Sequence, residues 1–230
     1  IWVQPAAGDA GGALGAALGA YYSISGAERS TPPSGGDSMS GSMLGPEFSN
    51  SQIQTELDQA GAVYEFMSED NLIEFTAKSI SDGAAVGWFQ GRMEFGPRAL
   101  GGRSILADPR SADTQKTLNL KVKYRESFRP FAPSILTEDT NEWFDLNADS
   151  PYMLIVAPLK TNLRRAMTEQ ENQLFGIDKL NIHRSKIPAV THVDYSARVQ
   201  TVSRDTHPLY YKLIEAFKAQ TGCPILVNTS

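Results

Sequence analysis

Apolar residues recur at two different spacings along the 230-residue chain, and these spacings predict alternating helices and strands. Strands are predicted at residues 1–3, 63–66, 84–90, 103–108, 152–159, 189–193, 197–202 and 224–228, with an extended segment at 128–136. Helices are predicted within residues 10–22, from Ser49 to about residue 60, and at 68–81, 111–122, 138–144 and 207–220. Alternation of this kind predicts an α/β fold with a mixed, partly parallel sheet and flanking helices.

The ends of several predicted helices carry recognisable signals. Asp9 is placed as the N-cap of an Ala/Leu-rich helix. Ser49-x-x-Gln52 has the pattern of a capping box. Pro208 in a first turn and Gly222 after a last turn bracket the final helix.

Two stretches interrupt this alternation. Residues 23–46 are rich in Ser, Gly and Pro, which is typical of a linker or long loop, and we expect a domain boundary there. Residues 160–187 are polar and irregular, which favours an insertion or a mobile lobe.

Composition excludes some classes of protein. Hydrophobic residues make up 41% and charged residues 20%, as in ordinary soluble enzymes. A net charge of −5 argues against non-specific nucleic-acid binding. The single cysteine, Cys223, excludes an internal disulfide, fits a reducing cytoplasm, and is expected to be buried among apolar neighbours. No apolar run is long enough to span a membrane, and the start at Ile1 is interpreted as a cut through a longer protein.

Positive charge is concentrated in the middle of the chain. Nine of the 21 basic residues lie between residues 87 and 130, against four acidic residues. This excess suits an anionic small ligand, although a solvated charged face is the commoner meaning of such a cluster. The segment GWFQGRMEFGPRALGGRSILADPR, residues 87–110, presents Arg92, Arg98 and Arg103 between glycines. Arginine forks and closely approaching backbone N–H groups favour a phosphate site, but the segment matches neither a Walker loop nor a dinucleotide fingerprint.

Two further clusters are candidates for ligand contacts. Lys123 and Arg125 would share a face if they lie on an extended segment, and the pair would suit a polyphosphate; the alternative is a basic helix end. On a predicted strand, His192 and Asp194 share one face, and Arg198 and Gln200 another. Two ligands are too few for a metal site, so nucleotide or carbamoyl recognition competes with structural hydrogen bonding. Asn228 and Ser230 follow the last strand, where they could meet a ligand, whereas His183 and His207 are interpreted as surface or capping residues.

Four segments in order resemble the NodU/CmcH/TobZ family of carbamoyltransferases. They are the segment at 87–110, KVKYRESFRPFAPSIL, AVTHVDYSARVQTV and PILVNTS. The resemblance implies an actin-like ATPase-fold domain fused to a YrdC-like domain. Residues 1–45 would be the tail of the first domain plus a linker, and residues 46–230 a YrdC-like domain truncated at its C-terminus. One departure from the family pattern is Tyr195, which stands where glycine is commoner.

The resemblance also implies a reaction. Carbamoyl phosphate and ATP would give carbamoyl-adenylate, and the carbamoyl group would pass to a hydroxyl of a sugar or other natural product, as in nodulation or antibiotic biosynthesis. The expected cofactors are ATP with Mg²⁺, and Fe²⁺ in the full-length transferase domain. The alternatives are a YrdC-like nucleotide- or RNA-binding module, and a carbamoyl-adenylate enzyme of the threonylcarbamoyl or hydrogenase-maturation type.

The same resemblance assigns roles to individual residues. Lys123, Arg125 and Arg98 are the expected catalytic residues. Asp9 would contribute to a metal site whose histidine ligands lie outside this chain. The residues expected to bind substrate or nucleotide are Arg92, Arg103, Arg129, His192, Asp194, Arg198, Asn228, Ser230, Gly8 and Gly11.

Overall fold

The computed structural model describes residues 4–30 and 37–230. In these ranges the helices are α1 (Asp9–Ser25), α2 (Asn50–Gln59), α3 (Glu69–Ser81), α4 (Ala112–Lys121), α5 (Thr140–Trp143), α6 (Glu169–Gln173), α7 (Gly176–Leu180) and α8 (Pro208–Thr221). The strands are β1 (Val86–Phe89), β2 (Arg103–Ala107), β3 (Ala132–Leu136), β4 (Ile155–Pro158), β5 (Ser196–Val202) and β6 (Ile225–Thr229).

The strands form one mixed sheet in the order β1-β2-β6-β3-β5-β4. Strands β3 and β5 are parallel, with Ser134 opposite Gln200, and the other neighbouring pairs are antiparallel. The predicted α/β fold with a mixed, partly parallel sheet is therefore confirmed. The further assignments to YrdC-like and actin-like folds, and the boundary at residues 45 and 46, stay predictions.

The core lies between the sheet and two helices that pack against each other, α3 and α8. Ile73, Ala77 and Ile80 follow helical spacing on α3, and Leu213 and Phe217 do so on α8. Cys223 belongs to this core and burial raises the pKa of its thiol to about 12, so its expected burial is confirmed. No described helix is long and apolar enough to cross a membrane.

Two of the three predictions of helix ends are confirmed. Ser49 and Gln52 form the complete capping box of α2, and Pro208 and Gly222 bracket α8 as expected. The prediction for Asp9 is wrong, because Gly8 occupies the N-cap and the Asp9 side chain makes no capping hydrogen bond.

Two strand predictions within the described ranges are wrong. Residues 63–66 pair with no strand, and Val63 and Phe66 stay exposed, because β-branched and aromatic residues form a strand only where a partner is available. The segment at 189–193 begins instead with a 3-10 turn, Pro188–Val190, since Pro188 lacks the N–H that a ladder requires. The strand predicted at 1–3 lies outside the described residues.

The region from residue 37 to residue 46 packs against the arginine-bearing segment. Gly45 N donates to Met93 O at 2.9 Å, and Phe95 N donates to Ser42 O at 2.6 Å. Tyr152 Oη donates to the Asp37 carboxylate at 2.6 Å. Residues 160–187 contain α6, α7 and a 3-10 turn, so this polar stretch has more regular structure than its composition indicates.

Candidate anion-binding site

A pocket of about 510 Å³ opens where β6 ends and β3 begins. Five basic side chains line it, and no acidic side chain among the described residues does. We call it the cationic pocket; its basic residues are Arg98, Lys123, Arg125, Arg129 and Arg198. Because like charges brought together repel one another, this arrangement favours an anionic ligand.

The loop that carries Arg98 is held from inside by Glu94. The Glu94 side chain is buried, and its Oε1 accepts from the backbone N–H groups of Leu100 and Gly102, each at 2.7 Å, and of Arg103 at 3.1 Å. Gly102 must lack a side chain here, because a Cβ would come within 2.6 Å of Arg92 O. The loop is thereby fixed, while Arg98 at its tip stays exposed.

Lys123 and Arg125 follow the end of α4. They do not lie on an extended segment, the condition under which they would share a face, because Tyr124 between them adopts a left-handed backbone with φ 49°. Both side chains nevertheless line the cationic pocket. Lys123 Nζ donates to Ser230 O, and Arg125 Nε donates to Asn119 Oδ1 at 2.6 Å.

The environment of Arg125 lowers its pKa. Burial is the main cause, and the positive charge of Arg129 adds to it. Arg129 itself is an exposed residue of the pocket that pairs with Glu126 at 3.0 Å. In the part of the chain that the structure describes, no carboxylate pairs with Arg125, whose side chain donates to an amide oxygen instead.

Arg198 is the one residue of β5 that is not fully buried. Its Nε has no hydrogen-bond partner among the described residues, while its Nη2 donates to Met153 Sδ at 3.7 Å. Burial, and then the positive charge of Arg98, lower the pKa of its guanidinium group. A buried nitrogen of this kind is costly unless a ligand accepts from it.

Asn228 lies at the same place. Its side-chain amide nitrogen contacts Ala99 O at 3.0 Å, Gln200 Oε1 at 2.9 Å and Ser134 Oγ at 3.1 Å, whereas its buried Oδ1 has no partner among the described residues. Asn228 thus belongs to a buried hydrogen-bond network across β3, β5 and β6, and it also lines the pocket.

The segment from His192 to Ser196 is a turn; a turn was predicted between the strands at 189–193 and 197–202, and it also includes residues 192 and 193, which were predicted to be strand. His192 N donates to Ser196 O at 2.8 Å, and Asp194 Oδ1 accepts from Ser196 N and Oγ. Tyr195 has a φ of 63°, the conformation that glycine adopts most easily. His192 and Asp194 consequently do not share a strand face: His192 lines the pocket and Asp194 does not.

Burial lowers the pKa of His192 below its ordinary value. Asp194 opposes this shift, and Arg198 reinforces it. His192 is therefore neutral at pH 7 and offers the pocket a hydrogen bond but no further positive charge.

Eight of the residues predicted to contact ligand meet in the cationic pocket: Arg98, Lys123, Arg125, Arg129, His192, Arg198, Asn228 and Ser230. Sequence reasoning missed Phe131, Met153 and Val156, which also line it. Of these, Phe131 alone had a signal, since it directly follows Arg129-Pro130.

Two predicted arginines lie outside the pocket. Arg103 donates to the carbonyls of Gln90 and Gly91 at 3.1 Å each, and its guanidinium stacks 3.5 Å from the centre of the Phe89 ring. Arg92 donates to Gly45 O and lies 3.5 Å from a Glu47 oxygen. In this structure both arginines bind protein groups.

The predicted residues at the N-terminus also lie apart from the cationic pocket. Gly11 N donates to Ala6 O at 3.0 Å, and a Cβ on Gly11 would lie 2.7 Å from that oxygen, so the turn requires glycine there. Gly8 and Asp9 are exposed. Within residues 4–30 and 37–230, no three His, Cys, Asp or Glu side chains are close enough to hold a metal ion, so Asp9 alone does not make a metal site.

A second pocket, of about 320 Å³, adjoins the first and shares Pro130 and His192 with it. It lies between α4, residues 127–130, residues 180–184 and residues 188–193. We call it the adjoining pocket.

Comparison with known proteins agrees with this geometry. Residues 77–230 match the family model described as carbamoyltransferase C-terminus. This matched range includes every residue of the cationic pocket. The chain belongs to this family. The resemblance to carbamoyltransferases that the sequence indicates is therefore confirmed.

Three relatives match the full length of the chain. An uncharacterized protein of Synechocystis is 55% identical, the nodulation protein NolNO of Sinorhizobium fredii 44%, and the 3'-hydroxymethylcephem-O-carbamoyltransferase of Amycolatopsis lactamdurans 35%. The chain covers 37%, 31% and 37% of these proteins respectively. This member of the carbamoyltransferase C-terminus family thus spans about a third of the length of such relatives.

Proposed function

We propose that this chain forms carbamoyl-adenylate from carbamoyl phosphate and ATP, and that a longer transferase passes the carbamoyl group to a hydroxyl. The observation that carries the proposal is the meeting of five cations in one pocket that, among the described residues, no carboxylate lines. Family membership supports carbamoyl chemistry, and the name of the cephem relative specifies a hydroxymethyl acceptor for that protein.

The proposed reaction consumes one water molecule. Hydrolysis of the carbamoyl phosphate P–O bond leaves carbamate and phosphate. A carbamate oxygen then attacks the α-phosphorus of ATP, the bond from that phosphorus to the bridging oxygen breaks, and pyrophosphate leaves. Negative charge develops on the α-phosphoryl oxygens and on the leaving pyrophosphate during this step.

The cationic pocket suits this charge pattern. Arg98 on its fixed loop and Lys123 after α4 approach the pocket from different elements, so they can hold the phosphates of two anions together. Fixed positive charges stabilise the developing charge without reorganising during the reaction.

Metal ions enter the proposal only through the nucleotide. Mg²⁺ would arrive with ATP and neutralise part of its charge. An Fe²⁺ site at Asp9 would need ligands from beyond this chain, because the described residues offer no cluster of donors there.

Pyrophosphate release tests the proposal. We expect the chain to release pyrophosphate from ATP when carbamoyl phosphate is present, and Arg98→Ala or Lys123→Ala to slow this about a hundredfold. Lys78→Ala is the matched control, because Lys78 pairs with Asp82 on the exposed side of α3. Release that does not need carbamoyl phosphate, or that survives both pocket substitutions, would contradict the proposal.

A further inference from the structure

The segment at residues 37–46, which we call the strap, is attached to the loop that carries Arg98. Gly45 N donates to Met93 O at 2.9 Å, and Met93 N donates to Pro46 O at 3.0 Å. A Cβ on Gly45 would lie 2.8 Å from Met93 O, so this close approach needs glycine. The strap therefore lies directly against the chain that leads into Arg98.

A side-chain bond ties the other end of the strap to the turn that precedes β4. Tyr152 Oη lies 2.6 Å and 2.7 Å from the two carboxylate oxygens of Asp37, which accept its proton. Burial, and then this hydrogen bond, raise the pKa of Tyr152 above its ordinary value. The hydroxyl group therefore stays protonated at pH 7 and remains a donor.

Apolar packing joins the strap to the wall of the cationic pocket. A small cluster, separate from the main core, contains Leu100, Ala132 and Met153 in buried positions. Met43 of the strap and Tyr152 pack against it. Because Ala132 and Met153 also line the cationic pocket, the cluster contacts both the strap and the pocket.

Met153 has a backbone conformation that its surroundings must hold in place. Its φ is 54°, in the left-handed region that residues with a side chain rarely adopt. Such a conformation persists only where the surrounding structure fixes it. Ser150 Oγ donates to Val199 O on β5 at 2.8 Å. Together with the bond from Tyr152 to the strap, this contact anchors the turn at two points.

The Met153 thioether contacts Arg198 in the cationic pocket, where Arg198 Nη2 donates to its Sδ at 3.7 Å. A thioether is a weak acceptor, so it can orient the guanidinium group and still leave it to bind an anion. We propose that the bond between Asp37 and Tyr152 positions Arg198 for a bound anion. The bond fixes Met153, and Met153 orients Arg198. This inference rests on the proposed function, in which the anion is carbamoyl phosphate.

The test measures the dissociation constant of carbamoyl phosphate for variants of the two positioning residues. We expect Tyr152→Phe and Asp37→Ala each to weaken binding about fivefold, because either substitution removes the anchoring bond. The double variant should bind no more weakly than the single variants, since all three lose the same bond. Asp37→Asn keeps an acceptor oxygen and should stay within about twofold of the wild type.

Tyr64→Phe is the matched control. Tyr64 Oη donates to Asp58 at 2.8 Å, which is the same kind of bond, and Tyr64 lines neither pocket. This variant should keep the wild-type constant. In an Arg198→Met background, Tyr152→Phe should have no further effect, because its influence passes through Arg198. A variant that is merely less stable would weaken binding equally in both backgrounds.

The outcomes separate this inference from the proposed function. If the wild type binds carbamoyl phosphate but releases no pyrophosphate from ATP, the proposed function fails, and the binding constants still decide the role of Asp37 and Tyr152. If the wild type does not bind carbamoyl phosphate, both fail. If folded Tyr152→Phe and Asp37→Ala variants keep the wild-type constant, the positioning inference alone is overturned. An equal effect of Tyr152→Phe with and without Arg198 overturns it as well. Circular dichroism and urea denaturation show whether each variant is folded.

Discussion

At the scale of single residues, the cationic pocket contains a charge that lowers the stability of the fold and is available to bind a ligand. Arg198 holds a partly buried charge beside Arg98, and among the described residues it pairs with no carboxylate and its Nε has no hydrogen-bond partner. Replacing such a charge with an apolar side chain of similar size commonly stabilises a protein. The cost of Arg198 is therefore best explained by a ligand that it binds.

The variant Arg198→Met tests whether Arg198 lowers folding stability and binds a ligand. We expect it to raise the free energy of unfolding by about 1 kcal/mol and to weaken carbamoyl phosphate binding. Urea denaturation and a binding titration measure the two effects. Arg110→Met is the contrasting control, since Arg110 pairs with the buried Asp108 at 2.6 Å; its loss should destabilise the chain by about 1–3 kcal/mol. A destabilised Arg198→Met variant would mean that Arg198 serves the fold.

At the scale of elements, the sequence predicts those helices and strands that apolar periodicity and helix caps define. Strands β2, β5 and β6 and helices α3 and α8 follow apolar patterns that agree with their burial. The bend after α4 depends on a left-handed backbone at Tyr124, which no side-chain pattern marks, whereas the left-handed residue of the turn at 192–196, Tyr195, stands where the family pattern favours glycine. The pocket residues could be predicted from their chemistry and motifs. Their separation into two pockets depends on long-range packing, which the sequence pattern does not show.

The loop between β1 and β2 illustrates such a tertiary effect. In the sequence, Glu94 is a single acidic residue within a basic segment. In the structure, its carboxylate accepts hydrogen bonds from three backbone N–H groups of the loop that carries Arg98. We expect Glu94→Ala to lower the free energy of unfolding by about 2–4 kcal/mol, because those donors lose their acceptor. Glu94→Gln keeps an acceptor oxygen and should cost clearly less.

Hydrogen exchange at the amides of Leu100, Gly102 and Arg103, together with urea denaturation, measures this effect. Protection of the three amides should fall in Glu94→Ala and persist in part in Glu94→Gln. Equal losses in both variants would show that the negative charge, and not the acceptor geometry, holds the loop.

At the scale of the whole molecule, stability should decrease in acid because the fold buries a neutral histidine. His207, interpreted from the sequence as a surface or capping residue, occupies the N-cap position of α8, but its side chain makes no capping hydrogen bond. It is 6% exposed, and its Nε2 has no partner among the described residues. Burial lowers the pKa of His207, and Glu94 only partly opposes this shift. The unfolded chain, with a pKa of about 6.5, therefore binds a proton more readily than the folded chain.

Because the unfolded state takes up more protons, this contribution to stability is complete above about pH 6.5 and is lost as the pH falls toward the lower folded pKa. We expect the free energy of unfolding to fall between about pH 7 and pH 5, and to fall less in His207→Gln, whose side chain does not titrate. His183→Gln is the matched control, because it makes the same substitution at an exposed histidine. Urea denaturation at several pH values gives the three slopes. If His207→Gln keeps the wild-type slope, the acid sensitivity must come from other groups, of which His192 is the next to substitute because burial lowers its pKa as well.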